Sequence, residues 1–335
     1  MAQPPSAVHR RRQWASETSR GRLVHMPIWN VKPDWGMDSV TETTTTRRRF
    51  DQAHVGGGAP APVDEQMWVD HEYRERLARL GLTSFETVMS SNQGRRLRTL
   101  PDRENWRLEI SDGGARRGIY LKRHRERSWG HRLRALLGTG PGKTAGRTEA
   151  DNVAHLQQSG IGAMRLVAYG QRLRRDGWAE SFVLTEELAG FTQLDHFLRQ
   201  WFVPAAERQK RDRPLARLLD QVAEVAARFH RAGFNHRDFY CCHFFIRETL
   251  PSHFAVHLID LQRVERRRWL RQRWIVKDLA QLAYSAPRER ITCTQRMAFV
   301  KRYLGVRKLR PSDKRLIRRV LAKQRALVRR HGEHP

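Results

Sequence analysis

The sequence predicts an α+β protein with two lobes, a strand-rich first half and a mainly helical second half. Between residues 66 and 188, short runs of alternating apolar and polar residues are separated by glycine-containing turns, a pattern typical of strands and hairpins. From "LDHFLRQWF" (194–202) onward, apolar residues recur at helical spacing. A chain of 335 residues is long enough to bury two sizeable cores. We therefore expect a cleft between the lobes that binds a ligand.

Residues 1–65 are expected to form a disordered, basic tail. "TETTTTRRRF" (41–50) and "AHVGGGAPAP" (53–62) have low complexity, and few large apolar residues recur there with any period. The start of the chain lacks the apolar segment of a secretory signal. It is rich in arginine, like a transit peptide, but we favour the interpretation that it is a solvated tail.

The first lobe is assigned to residues 66–188. Its first element is predicted to be a helix near residue 64, with Gly81 as C-cap. Large residues recur there at helical spacing: Trp68, Tyr73, Leu77 and Leu80. "WRLEISD" (106–112) and "GIYLKRHR" (118–125) then predict a hairpin. "RTEADNVAHLQQSG" (147–160) predicts a helix with Thr148 as N-cap, and two further strands follow.

The second lobe is assigned to residues 189–335 and is expected to end in a basic helix. "PLARLLDQVAEVAARFHRAG" (214–233) predicts a long amphipathic helix, and "HFAVHLIDL" (253–261) a buried strand. The apolar face of the long helix consists of Leu215, Leu218, Leu219, Val222, Val225, Ala226 and Phe229. The final helix, "DKRLIRRVLAKQRALVRRH" (313–331), has an apolar stripe that either packs on the second lobe or contacts a membrane.

The formal net charge is +29, from 64 Lys and Arg against 35 Asp and Glu. A surplus of this size favours an anionic partner: nucleic acid, a phosphorylated substrate or an anionic membrane face. The chain has three cysteines, too few for a disulfide scaffold, so a reducing cytoplasm is expected. No apolar run approaches the ~20 residues needed to span a bilayer.

Two motifs suggest chemistry that their spacing does not support. "GTGPGKT" (138–144) is one residue too short for a phosphate-binding P-loop, because only three residues separate Gly138 from Gly142. A glycine-rich connection is the better interpretation. Cys241, Cys242 and His243 have no second ligand cluster, so buried free thiols are preferred over a zinc site.

"HRDFYCCHFFI" (236–246) has the layout of a kinase catalytic loop, H-R-D followed by a metal-capable residue five positions after the aspartate. In that layout Asp238 accepts the proton of the attacking hydroxyl, and His243 faces the same cleft and helps to hold magnesium. Asp260, at the end of "VHLID", is a candidate second metal ligand. Lys122 in "IYLK" and Glu149 on the next helix have the order and spacing of the ion pair that holds ATP phosphates. Neither residue is informative alone, but all these elements occur in the chain order of a kinase.

The stretches "NHRDFYCCHFFI" and "HLIDLQRV" closely resemble those of the lipopolysaccharide core heptose kinases. "YLKRHRERSWGHRL", "TEADNVAHLQQSGI", "VLTEELAG" and "RWIVKDLAQLAYSA" resemble the same family, so that residues 68–305 are covered. The resemblance implies a bilobal protein-kinase-like fold. It also implies ATP- and Mg²⁺-dependent phosphorylation of a sugar hydroxyl, expected to be that of a heptose, on a lipid-linked core oligosaccharide.

Carried over by position, the resemblance makes Asp238 the catalytic base and Asp260 a magnesium ligand. It makes Lys122 the phosphate-binding lysine, held by Glu149. The hinge that presents backbone groups to adenine would consist of Thr185, Glu186, Glu187 and Leu188. Asp278 would hold the catalytic loop from the following helix.

Two features depart from ordinary kinases. His243 stands where those enzymes have asparagine, and imidazole is a poor magnesium ligand. Two alternative roles for it are action through water and orientation of phosphate. "SSNQGRRLR" (90–98) keeps only Gly94 of a glycine-rich lid. Arg95 and Arg96 are either phosphate contacts or solvated side chains.

Other functions fit parts of the sequence. A pseudokinase that keeps the fold without turnover is disfavoured because Lys122, Asp238 and Asp260 are all retained. A protein kinase is disfavoured because fewer than 20 residues separate Asp260 from Asp278, too few for a long activation segment. A kinase acting on another sugar, such as Kdo or a small soluble sugar, stays an alternative. Nucleic acid is not expected as a partner, because no recognised motif for it occurs. The expected location is the cytoplasm, peripheral to the anionic inner face of the inner membrane.

Overall fold

The computed structural model describes residues 62–112, 114–200, 208–267, 269, 271–287 and 290–332. The predicted tail lies outside this part of the chain, except for its last four residues. These begin strand β1 (Pro62–Val69), so regular structure starts four residues before the expected boundary.

A six-stranded antiparallel sheet dominates the first half of the fold. Its spatial order is β1-β6-β7-β4-β3-β2. Besides β1, its strands are β2 (Arg95–Leu100), β3 (Arg103–Asp112), β4 (Ala115–Arg127), β6 (Leu166–Arg174) and β7 (Trp178–Glu186). The predicted hairpin is β3–β4, and the two further strands are β6 and β7, so both predictions are confirmed.

Four helices accompany this sheet, in two pairs along the chain. They are α1 (Arg74–Arg79), α2 (Phe85–Ser90), α3 (Trp129–Leu136) and α4 (Ala145–Gln158). The α4 helix packs beneath the sheet, against β6 and β7. Gly146 fits there because a side chain at this position would meet the backbone of Phe182 on β7.

The second half of the described chain is mainly helical, as predicted. Its helices are α5 (Leu194–Gln200), α6 (Arg208–Arg231), α7 (Arg271–Ser285), α8 (Cys293–Leu304) and α9 (Pro311–His331). One small sheet has the order β5-β11-β10-β8, and another pairs β9 with β12. These short strands are β5 (Gly162–Ala163), β8 (Thr192–Gln193), β9 (Phe234–Asn235), β10 (Phe244–Leu250), β11 (His253–Leu258) and β12 (Glu265–Arg266).

Two hydrophobic clusters form the core. One lies on the large sheet and includes Phe85, Leu121 and Phe182. The other surrounds α6 and includes its whole predicted apolar face, from Leu215 to Phe229. Two clusters of buried side chains are what the α+β, bilobal prediction requires.

The boundary between the clusters does not follow the chain. Val153 and Leu156 of α4, with Ile161 after it, belong to the cluster around α6. Strand β5 pairs in parallel with β11, His257 lying opposite Gly162. The proposed division at residue 188 is thus bridged by residues 153–164, which attach the helix carrying Glu149 to the second half of the fold.

Two local predictions were wrong for physical reasons. The segment with Trp68 is strand β1 rather than helix, because it pairs along its length with β6, Trp68 opposite Tyr169. The N-cap of α4 is Thr144, whose hydroxyl accepts from the Arg147 amide; Thr148 lies inside the helix and donates to the Thr144 carbonyl. Thr144 and Thr148 each have a hydroxyl that could cap a helix. The helix starts at the first of them because Gly146 packs against β7 as its second helical residue.

The basic helix α9 packs on α7 through its apolar stripe. Leu316, Val320 and Leu327 are half-buried there, and Gln324 is buried and donates to the Ala283 carbonyl at 2.9 Å. Of the two roles considered for this stripe, the structure therefore shows packing. No helix in the described part of the chain is long and apolar enough to span a membrane.

Candidate active site

Lys122, Glu149 and Asp260 meet between the two clusters. Lys122 Nζ donates to Glu149 Oε1 at 2.7 Å and to Asp260 Oδ1 at 3.4 Å. The lysine lies on β4, the glutamate on α4, and Asp260 two residues after β11. Glu149 has no exposed surface, and its second oxygen, Oε2, has no hydrogen-bond partner. The predicted ion pair between Lys122 and Glu149 is therefore present, and the Asp260 carboxylate lies beside it.

The charged side chains of this site shift the pKa values of one another. Burial by itself lowers the pKa of Lys122, but the carboxylates of Glu149 and Asp260 outweigh it and raise this pKa above its usual value. Burial would likewise raise the pKa of Asp260, but Lys122, His243, His236 and Arg103 hold it below its usual value. At neutral pH the site therefore contains a charged ammonium and a charged carboxylate, the states needed to bind phosphate and a divalent cation.

Helix α7 holds the predicted catalytic loop through hydrogen bonds to its backbone. Asp278, which is fully buried, accepts from the amides of His236 at 2.8 Å and Arg237 at 3.0 Å. Gln281 accepts from the Phe239 amide one turn later. Arg237 has φ +71°, a left-handed conformation that is unfavourable for arginine, and these bonds keep it there. The interaction predicted for Asp278 is present.

Asp238 is partly exposed and is paired with a residue that sequence reasoning missed. Arg263 donates to Asp238 Oδ2 at 2.7 Å, and the Asp238 side chain is 23% exposed. Lys277 donates to the Arg237 carbonyl, beside the same loop. In a chain with 64 Lys and Arg, nothing in the sequence distinguishes these two cations from the others.

His243 connects Asp238 with Asp260. Its Nδ1 donates to the Asp238 carbonyl at 2.6 Å, and its Nε2 lies 3.8 Å from Asp260 Oδ2. No group of three or more His, Cys, Asp or Glu able to hold a metal occurs among the described residues. A kinase magnesium needs fewer protein ligands, because ATP phosphates supply oxygens. Asp260 fits that requirement, whereas imidazole is a weak donor for this cation.

The four hinge residues lie at the end of β7 and just after it. The Glu187 carboxylate is held by Arg107, at 2.7 Å from one guanidinium nitrogen, and by Tyr120 at 3.1 Å. It rests on Gly118 of β4, where any side chain would overlap with it. The Arg107 hydrogen bond keeps the pKa of Glu187 below its usual value. The side chain of Glu186 accepts from Tyr73. Both carboxylates are therefore engaged within the protein and fix the shape of the segment.

The segment considered as a glycine-rich lid, residues 90–98, does not form a glycine loop. Gly94 precedes β2 and lies against the Arg107 backbone, and the turn from β2 to β3 consists of Pro101 and Asp102. The Asp102 carbonyl accepts from the Arg125 amide at 2.9 Å, which ties this turn to β4. Arg96 stacks on Trp106 rather than pointing to the cleft. A short tied turn thus replaces a flexible glycine loop.

Three polar residues share the sheet face of Lys122. Asn105 lies opposite Lys122, Arg103 lies opposite His124, and directly paired residues project to one side. Asn105 Oδ1 and His124 Nε2 are buried without hydrogen-bond partners. Burial, with the charges of Lys122 and Arg103, lowers the pKa of His124 to about 4. Sequence reasoning missed all three because their alignment depends on strand register.

The two adjacent cysteines differ in their surroundings. Cys241 is fully buried, its amide donates to Ser285 Oγ at 2.8 Å, and burial raises its thiol pKa to about 12. Burial raises the pKa of Cys242 to about 11. Both sulfurs are therefore neutral thiols at pH 7, a state that does not favour metal binding.

Acid is expected to destabilise the fold through His236. Its Nε2 donates to the Ile259 carbonyl at 3.0 Å, which leaves the buried Nδ1 without an acceptor if it is protonated. Burial accordingly lowers its pKa to about 4, below the reference value of 6.5. The unfolded chain binds more protons between these values, so stability falls as the pH is lowered through them. Going from about pH 7 to about pH 5 should remove about 2 kcal/mol for this group.

Denaturant unfolding at the two pH values measures this effect. His236→Gln, whose amide can still donate to Ile259, should lower stability at pH 7 but reduce the acid-dependent loss by about 2 kcal/mol. His196→Gln, at an exposed position, is the matched control and should leave the loss unchanged. An equal acid-dependent loss in all three proteins would contradict the assignment.

A model of the lipopolysaccharide kinase (Kdo/WaaP) family matches residues 88–303, a range that includes every proposed site residue. The chain belongs to the lipopolysaccharide kinase (Kdo/WaaP) family. The predicted resemblance and the kinase-like fold are thereby confirmed. As a member of the Kdo/WaaP family, the chain is an ATP-dependent sugar kinase.

Characterised relatives and a solved structure agree with this assignment. The lipopolysaccharide core heptose(I) kinase WaaP of Pseudomonas aeruginosa is 35% identical over 226 residues, 67% of this chain and 81% of that protein. The protein of the same name from Escherichia coli K12 is 29% identical over 241 residues, 70% and 87% of the two chains. The structure of WaaP in complex with acyl carrier protein covers 79% of this chain and 98% of its own, with 29% identity and a TM-score of 0.58.

Proposed function

We propose that this protein transfers the γ-phosphoryl group of ATP to a hydroxyl of a heptose in the inner core of lipopolysaccharide. The observation that carries this proposal is the meeting of Lys122, Glu149 and Asp260 with the Asp238 loop in one cleft. The Kdo/WaaP family membership and the heptose(I) kinase names of the relatives support heptose as the acceptor sugar.

The acceptor hydroxyl loses its proton to Asp238 as its oxygen bonds to the γ-phosphorus. The bond from that phosphorus to the β-phosphate oxygen breaks, and ADP leaves with the electron pair. Arg263 keeps the Asp238 carboxylate oriented, and Lys122, fixed by Glu149, positions the α- and β-phosphates. The loop therefore contributes mainly alignment and charge stabilisation.

Asp260 is the proposed ligand for magnesium. Its carboxylate would hold the cation, which would supply positive charge to offset the negative charge that develops on the phosphate oxygens during transfer. His243 would orient a phosphate or a metal-bound water, since its Nε2 faces Asp260 and its Nδ1 is already bonded to the loop. Arg103, Asn105 and His124 line the same face as Lys122 and replace the amides of a glycine-rich lid as phosphate contacts.

Residues 185–188 form the proposed adenine hinge through their backbone. The amides of Glu186 and Glu187 donate to the carbonyls of Arg165 and Gly118, so they are engaged within the protein. The amide of Leu188, one residue farther on, is the donor we assign to the base.

The assay is phosphate transfer to a deacylated core oligosaccharide, with ATP and Mg²⁺ and the purified chain. Mass spectrometry should find one added phosphate, located on a heptose. Phosphate on Kdo, or transfer to protein with none to the oligosaccharide, would contradict the proposal in favour of the alternatives. A soluble acceptor keeps this test independent of membranes.

The natural acceptor is lipid-linked, so we place the working enzyme at the anionic inner face of the cytoplasmic membrane. The net charge of +29 supports that location, since each Lys or Arg near such a surface contributes about 1 kcal/mol. The solved relative is described in complex with acyl carrier protein, which makes that protein the first protein partner to test by co-purification.

A further inference from the structure

Helix α3 (Trp129–Leu136) presents its apolar side to solvent. Trp129 is 78% exposed, Leu136 84% and Leu137 66%, and Leu133 is 41% exposed. No residue of this helix is buried. Folded domains bury the apolar face of an amphipathic helix, so an outward-facing one indicates a partner surface.

The spacing shows that this exposure belongs to one face. Trp129, Leu133, Leu136 and Leu137 follow the i, i+4, i+7, i+8 pattern, which places them on one side of a helix. The half-buried residues, His131 and Ala135, lie on the opposite side, toward the sheet. The Ser128 hydroxyl accepts from the His131 amide at 3.1 Å and caps the helix, so α3 is a formed helix and not a frayed end of β4.

The chain segment that contains α3 is basic. From residue 127 to residue 148 the sequence contains no Asp or Glu, and its cations are Arg127, Arg132, Arg134, Lys143 and Arg147. Arg132 and Arg134 flank the apolar face on the helix itself and are exposed. An apolar stripe with tryptophan and leucine, bordered by arginine, is the composition of a helix that lies in the interface of an anionic bilayer.

The position of α3 relative to the cleft also favours a membrane. Gly118, near the start of strand β4, lies against Glu187 of the proposed hinge. The strand then passes Lys122 and ends at Arg127, next to α3. Lys122 and Arg127 are five residues apart, or about 16 Å along a strand. The helix therefore lies beyond the phosphate-binding lysine, at the end of the sheet away from the hinge, and α4 with Glu149 follows it in the chain.

We infer that α3 is the membrane-docking element of this protein, with the apolar face of Trp129, Leu133, Leu136 and Leu137 inserted at the surface of an anionic bilayer. This inference rests on the proposed function, because a lipid-linked acceptor requires the cleft to approach the bilayer. It assigns the shallow insertion to α3 and not to α9, whose apolar stripe packs on α7 and is half-buried except for Leu321.

Co-sedimentation with vesicles of phosphatidylcholine and phosphatidylglycerol in equal amounts tests the inference. The triple variant Trp129→Ser, Leu136→Ser, Leu137→Ser should bind at least about tenfold more weakly than the natural chain. The matched control is Trp269→Ser with Leu250→Ser, which removes a tryptophan that is 86% exposed and a leucine that is 66% exposed elsewhere. The control should bind normally.

The salt dependence of vesicle binding separates the electrostatic contribution from the apolar one. Raising the salt from about 0.1 M to about 1 M should weaken binding of the natural chain but not abolish it, because the apolar contact is not screened. Arg132→Gln with Arg134→Gln should reduce the salt-sensitive part. Equal sedimentation of the triple variant and the natural chain would overturn the inference, as would absence of binding at low salt.

Activity measurements distinguish this inference from the proposed function. The triple variant should phosphorylate the deacylated oligosaccharide at the normal kcat/KM but lose at least about tenfold with acceptor embedded in vesicles. If the natural chain fails on the soluble acceptor, the proposed function fails while the vesicle result stands. A triple variant that binds vesicles normally but loses acyl carrier protein or self-association would reassign α3 to that partner and overturn membrane docking.

Discussion

Asp238→Asn should reduce kcat by about 10³-fold and leave ATP affinity almost unchanged. A positioned general base contributes about 10²–10⁴ in rate, and asparagine cannot accept the hydroxyl proton. The amide oxygen can still accept from Arg263, which now donates to Asp238 Oδ2 at 2.7 Å, so the loop should keep its shape. The loss should therefore appear in turnover and not in folding.

Single-turnover phosphorylation and ATP titration measure the two quantities separately. Asp220→Asn is the matched control, because it makes the same chemical change on helix α6, outside the loop. Turnover of the Asp238 variant within threefold of the natural chain would remove this residue from the role of base. A large loss of ATP affinity instead would assign it to nucleotide binding.

Asp260→Asn should lower the rate by at least about 10²-fold at ordinary magnesium and shift the magnesium requirement upward. The carboxylate is 29% exposed, lies beside Lys122 and faces His243 Nε2 at 3.8 Å. Removing its charge removes the one hard anionic oxygen that we assign to the cation. Lys122 keeps its contact with Glu149 at 2.7 Å, so phosphate positioning should survive.

Magnesium titration of the rate at saturating ATP is the measurement for this variant. A partial recovery at high magnesium is expected, because the ATP phosphates still offer oxygen ligands. An unchanged magnesium dependence, with only a lower rate, would contradict the assignment of Asp260 as a ligand. Asp220→Asn again controls for loss of a carboxylate elsewhere on the chain.

Much of the candidate site could be predicted because kinase chemistry needs few residue types in a fixed order. Lys122 on the second strand of a hairpin, Glu149 on the next helix, Asp238 in "HRD" and Asp260 after a strand are each local patterns. Their order along the chain was enough to place them together. The long helix α6 was also predictable, because the apolar residues of its buried face recur at helical spacing in the sequence.

Other features depend on contacts between distant segments, which local patterns do not encode. Whether Trp68 lies on a helix or a strand depends on β6, 101 residues away at Tyr169 in the paired register. The partnership of Asp238 with Arg263 singles out one arginine from 64 Lys and Arg. The alignment of Asn105 with Lys122 depends on the register of two strands.

The sequence by itself determined the secondary structure with strong periodicity, the H-R-D loop and the chain order of the proposed phosphate-binding residues, because each depends on neighbouring positions. Only the tertiary structure decided which apolar faces are covered. The stripe of α9 and the face of α3 are both apolar, yet α7 packs against most of the first, and the sheet leaves the second exposed. Burial is a property of the whole fold, since a face is covered only if another element is brought against it.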